Sequence, residues 1–255
     1  MRLSVAVAAI ALLSACESRT VGDFLRTRPD IDVQPLPSDC PHLPDGLPVG
    51  LDASTQFTCR DDYAFAIAVD SQTQQPDFVA YCVAGADDTD APPSPPPPPP
   101  PPLPDPDVPP DDLLQPDDYE NVDAIGYELG RHFPPSLPHT DPDSPAYAVN
   151  LAPRSADLEA VWRDLEAHQL ELLNRHGSLC AITGPFFFDG DTRRLPSTDK
   201  SHRLPAGYWI LLTLPDGSRQ AYVYEQETPP DTDFRLGRTE LFELESFAGL
   251  VIVGD

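Results

Sequence analysis

The strongest periodic pattern lies in SADLEAVWRDLEAHQLELLNRHG, residues 155–177, where Leu158, Val161, Trp162, Leu165, Leu172 and Leu173 recur at helical spacing. Ser155 or Asp157 supplies a cap and Gly177 a stop, so one long helix is expected over 155–176. Before it, YAFAIAVDSQTQQPDFVAYCV, residues 63–83, carries apolar runs on either side of a polar centre, which predicts a hairpin. After it, SLCAIT reads as a buried strand ended by a turn at Gly184 and Pro185. YWILLTLPDGSRQAYVYE predicts a second hairpin turning at Pro215, Asp216 and Gly217, Thr239–Ala248 a short helix stopped by Gly249, and LVIV a closing strand. Strands outnumber helices, which points to an α+β fold.

The first sixteen residues, MRLSVAVAAIALLSAC, set one arginine before an apolar run and end in small residues, the form of a secretory signal. Leu13, Ser14, Ala15 and Cys16 resemble a bacterial lipoprotein box, which implies acylation of Cys16, a membrane partner reached through that lipid, and a place in the bacterial cell envelope. Residues 17–39 suit a tether. Residues 84–118 hold few apolar positions and include eight consecutive prolines, Pro95–Pro102, which favour a polyproline II spacer able to engage an aromatic groove on a partner protein. Composition leaves open whether this stretch separates two domains or interrupts one.

Four cysteines remain beyond Cys16. In an exported chain they imply two disulfides, with three connectivities open; Cys40 with Cys59 is favoured because they bracket a short segment, which leaves Cys82 for Cys180. The formal charge is −26 and Lys200 is the single lysine, so the chain repels nucleic acid at long range. The sequence holds no phosphate-binding glycine loop, no nucleophile elbow and no zinc-like His/Cys spacing.

TGPFFFDGDTRRLPSTDKSHRLPAGYW resembles the second half of the DNA/RNA non-specific endonucleases, the ββα-metal or His-Me finger nucleases. The matching positions are Thr183, Gly184, Pro185, Leu195, Pro196, Thr198, Lys200, His202, Pro205, Tyr208 and Trp209. QETPPDTDFRLGR adds Gln226, Thr228, Pro229, Asp233, Phe234 and Arg238, ELESFAGL resembles the closing helix and strand, and CRDDYAFAIAVDSQTQQPDFVAY the opening hairpin. The resemblance implies one domain over 40–255, a central, mostly antiparallel sheet flanked by helices, with the stretch at about 84–118 as a disordered insertion.

Such enzymes need a neutral histidine to activate water and a divalent cation to stabilise developing charge. The family sets the histidine at a strand end in Asp-Arg-Gly-His and the metal-binding asparagine four residues before a tryptophan on the next helix. In GYELGRHFPP, Gly126, Tyr127 and Gly130 match, Glu128 and Leu129 replace the aspartate and arginine, and Arg131 takes the histidine's place. His132 falls one residue late, on the opposite strand face unless a bulge re-aims it, and an arginine stays protonated and is no base. On the helix, Trp162 and Glu166 match but Leu158 stands at the asparagine's place; counting from Asn150 and Pro153, which resemble an Asn-x-x-Pro landmark, points instead to Glu159 as a ligand for Mg²⁺ or another divalent cation. Arg131, His132, Asn150, Glu166 and Glu159 are therefore the site residues to locate. Two outcomes are expected: a nuclease-like module that has lost hydrolysis and serves binding or structure, or an active endonuclease with His132 as base and Glu159 or Asn150 near the metal.

Overall fold

A computed structural model describes residues 40–59, 64–85, 101–139, 141–197 and 202–252. The signal segment, Cys16, the tether and the prolines through Pro100 lie outside them. The architecture is α+β. Among the described residues, seven strands form one antiparallel sheet in the order β1-β2-β3-β6-β7-β8-β9, built from β1 Thr55–Thr58, β2 Ala66–Asp70, β3 Gln75–Ala84, β6 Ser178–Phe186, β7 Gly207–Thr213, β8 Arg219–Glu225 and β9 Arg238–Thr239. A separate antiparallel ribbon pairs β4, Tyr127–Arg131, with β5, Leu151–Ser155, and runs directly into helix α1, Ala156–His176; α2 is Leu241–Ala248. No described helix is long and apolar enough to cross a membrane.

Both sheet faces are covered, which explains why β7 reads as an unbroken apolar run. Tyr208, Ile210 and Leu212 pack with Tyr81, Trp162 and Leu165 on the α1 side, while Trp209 and Leu211 pack with Phe78, Leu244 and Ile252 on the α2 side. Alternate side chains of one strand thus enter two cores. Helix α1 buries Leu158, Val161, Trp162, Leu165, Leu172 and Leu173, each burial contributing roughly 1.5–3 kcal/mol. Ser155 caps it, its Oγ accepting from the Leu158 amide at 3.1 Å, and Gly177 ends it at φ 79°.

Both disulfides form in the favoured pairing, Cys40–Cys59 and Cys82–Cys180, the second joining β3 to β6 at directly opposed positions. Three expectations need correction. Gly184 and Pro185 do not turn: β6 continues through them, paired with Trp209 and Tyr208. Gly184 is there because a Cβ would lie 2.3 Å from the Asp77 carbonyl and 2.8 Å from the Trp209 ring. LVIV forms no strand among the described residues; Val251 makes an isolated bridge with Val49. The stretch expected to be a solvated spacer joins the core from Leu103 on, where the Leu103 amide donates to Ala146 at 2.8 Å and Val108, Leu113 and Leu114 are buried. Scattered apolar residues anchored by backbone bonds leave no period to read.

Candidate functional site

The β4–β5–α1 unit is held to the main sheet by a few polar side chains. Gly126, at φ 84°, turns the chain into β4. Tyr208 Oη donates to the Pro153 carbonyl at 3.0 Å, and Gln226 Nε2 donates to the same oxygen at 2.9 Å. Gln226 Oε1 accepts from the Ser155 amide at 2.8 Å, so one buried glutamine fixes the junction where strand becomes helix. Tyr208 and Gln226, both matched in the family pattern, therefore position the unit.

The β4–β5 register is continuous, from Tyr127 opposite Ser155 to Arg131 opposite Leu151. No bulge interrupts it, so Arg131 and His132 keep opposite faces. Arg131 is buried, with Nε donating to the Pro145 carbonyl at 2.8 Å and Nη1 to the carbonyls of Leu129 and Gly130 at 2.8 and 3.1 Å. Burial and the neighbouring Arg154 pull its pKa down to about 10, which leaves it a cation at neutral pH. His132 is 1% exposed. Its amide donates to the Asn150 carbonyl at 2.9 Å, and its ring meets Tyr208 edge-on at 5.5 Å. Burial, with Arg154 adding to it, holds the imidazole down to about pKa 3, and its Nδ1 has no partner among the described residues.

Asn150 is fully buried, and both ends of its amide are bound to backbone. Its Oδ1 accepts from the Phe133 amide at 2.6 Å, and its Nδ2 donates to the carbonyls of Phe133 at 3.0 Å and Pro145 at 3.2 Å. Glu159 faces Arg154, whose Nη1 donates to Oε2 at 2.8 Å, while Arg163 Nε stands 3.7 Å from its other oxygen. Arg163 also pairs with Glu128, the residue at the family's aspartate position. Glu166, two turns beyond Glu159 on the same helical face, is half-buried, and desolvation lifts its carboxyl to about pKa 7 against the lowering effect of Arg154.

Arg154 is the residue that sequence reading missed. It has no exposed surface, its guanidinium lies 4.1 Å from the Trp162 ring centroid, and its Nη2 donates to the Arg131 carbonyl at 2.5 Å. The available signal was its place directly after Pro153 on β5, the short strand that Asn150 immediately precedes. Gly130 is the complement: a Cβ there would fall 2.4 Å from Arg154 Nη1 and 2.6 Å from Glu159 Oε2. The five expected site residues thus converge on one unit, together with Arg154.

Their donor set does not fit a divalent cation. The Asn150 oxygen is taken by an amide, Glu159 is neutralised by Arg154 with Arg163 beside it, and Glu166 holds its proton near neutrality. Three guanidinium groups, Arg131, Arg154 and Arg163, share the region with the carboxyl groups of Glu128, Glu159 and Glu166, and Glu128 and Glu159 are each paired with an arginine. Among the described residues, no group of three or more His, Cys, Asp or Glu side chains is arranged to hold a metal ion. Three of the five other histidines make contacts elsewhere: His42 accepts from the Cys82 amide at 3.2 Å, His139 meets the Leu137 carbonyl at 2.8 Å, and His168 meets Gln220 at 2.9 Å. Thr198 and Lys200 lie outside the described residues.

No protein-family model matches the chain. Over 200 residues it is 30% identical to a protein named Nuclease from Serratia marcescens, an alignment covering 74% of this chain and 73% of that protein.

Proposed function

The chain belongs to the family of the Serratia marcescens nuclease, and from that premise we propose that it is a cell-envelope nuclease-like module in which phosphodiester hydrolysis has been lost and binding remains. The β4–β5–α1 unit supports reading it as a ββα-metal unit. The observation that carries the loss of hydrolysis is the His132 ring, buried against Tyr208 and pushed to a pKa of about 3, far below the range useful to a general base. Arg131, at the base's strand position, is a hydrogen-bonded cation and takes no proton from water. The charge of −26 opposes a polyanionic substrate. In this reading Cys16 carries the lipid that tethers the module to a membrane surface, and the Pro95–Pro102 run is where a partner protein docks.

The test is digestion of plasmid DNA and of RNA by the chain with Mg²⁺ or Mn²⁺, against a chelator. No metal-dependent cleavage is expected. Cleavage that the chelator stops and that His132→Ala abolishes would refute the reading and establish an active endonuclease.

A further inference from the structure

The resemblance calls for a divalent cation between the end of β4 and the first turn of α1, and the Arg154 guanidinium lies at that place. One edge of it donates to Glu159 on the helix at 2.8 Å, the other to the Arg131 carbonyl at the strand end at 2.5 Å. Trp162 lies against it at 4.1 Å and Tyr208 at 5.3 Å, aromatic neighbours that favour a poorly hydrated guanidinium over a strongly hydrated metal ion. Gly130 gives it room, since any side chain there would strike it. A fixed positive charge therefore neutralises Glu159 and ties helix to strand, the structural work of a bound ion.

We propose that Arg154 is the resident cation of this unit, an internal replacement for the metal, so that the native chain binds no Mg²⁺ or Mn²⁺ there. The inference rests on the reading of β4–β5–α1 as the family's metal-binding unit, yet it concerns ion binding and stability rather than cleavage. Arg154 is a positioning residue: it holds Glu159 and the β4 end, and the consequence is that the unit's order does not depend on dissolved ions.

The experiment is thermal unfolding of the full chain and of Arg154→Lys, Arg154→Met and Glu159→Gln, each in chelator and in Mn²⁺. The native Tm is expected to respond to Mn²⁺ no more than that of Glu159→Gln does. Arg154→Met is expected to unfold roughly 10 °C lower, and Arg154→Lys, which keeps the charge and one of the two bonds, to lie between. A Mn²⁺-dependent rise in the native Tm that Glu159→Gln removes would overturn the proposal, as would an Arg154→Met protein as stable as Arg154→Lys. Should Arg154→Met fail to fold while Arg154→Lys folds, the requirement for a cation is supported. Cleavage assays on the same samples separate the two readings: digestion that a chelator does not stop, by a chain whose Tm ignores Mn²⁺, defeats the proposed function and leaves Arg154 as the resident cation, whereas metal-dependent digestion defeats both.

Discussion

Gly130→Ala tests the buried ion pair by steric force alone, because Gly130 does not occupy the left-handed region and alanine meets no backbone penalty there. The new methyl carbon would stand 2.4 Å from Arg154 Nη1, whereas contacts under 3.0 Å are essentially never found, so the guanidinium must retreat by about 0.6 Å. It has nowhere to go, held by the Arg131 carbonyl at 2.5 Å and by Trp162 at 4.1 Å. Glu159 Oε2, at 2.6 Å, is displaced as well, so the 2.8 Å bond between them is lost or bent. Breaking a buried pair costs about 3–5 kcal/mol, which lowers Tm by roughly 10 °C in a domain of this size. Urea unfolding of Gly130→Ala, Arg154→Ala and the double variant measures it. The two substitutions should couple by about 2 kcal/mol, because once Arg154 is gone Glu159 is free to swing away and the methyl is tolerated. A Gly130→Ala stability within about 0.5 kcal/mol of the parent, or strict additivity, would refute the reasoning.

His132 enters the folded state neutral, its pKa pulled from 6.5 to about 3, so the unfolded chain binds the extra proton and stability falls as pH drops from 6.5 toward 3, by at most about 1.4 kcal/mol per unit. Glu166, raised from 4.5 to about 7, acts oppositely and gains stability as pH falls through that window; comparison with His132→Phe isolates the histidine, and equal pH slopes for the two proteins would contradict its burial as a neutral ring. Asn150→Asp removes the donor that satisfies two carbonyls and should cost about 3 kcal/mol in urea unfolding; an aspartate that instead stabilises the protein in Mg²⁺ would show that a metal reaches this position. Replacing Cys82 and Cys180 with serine opens a span of 98 residues and is expected to cost about 4–5 kcal/mol, against about 3 for the pair Cys40 and Cys59 separated by 19, an order that denaturant midpoints will check.

Local pattern was enough for the elements that bury a continuous stripe. The helix over 155–176, its serine cap and glycine stop, and the hairpins formed by β2 with β3 and by β7 with β8 follow from spacing that 3.6-residue or two-residue periodicity makes visible, while the disulfide pairing was favoured only by the short segment between Cys40 and Cys59. The turn expected at Gly184 and Pro185 was misread because glycine also marks a place where two backbones come close. The core residues Leu113 and Leu114 escaped because they sit in a proline-rich stretch with no repeat, and the Gln74 carbonyl, far off in sequence, accepts from the Leu114 amide.

What the sequence contributed about the site, through its resemblance to the endonuclease motif, was an expected one-residue displacement, with Arg131 at the place of the base and His132 after it. Its consequence depended on the tertiary structure, because strand register and burial are properties of neighbours. The unbroken pairing of β4 with β5 sends His132 inward against Tyr208, and folding brings Arg154 from the next strand across to Glu159 and Gly130. A guanidinium five residues from its carboxylate in the chain reads as surface charge; only the packing of Trp162 and Tyr208 around it makes it a buried cation.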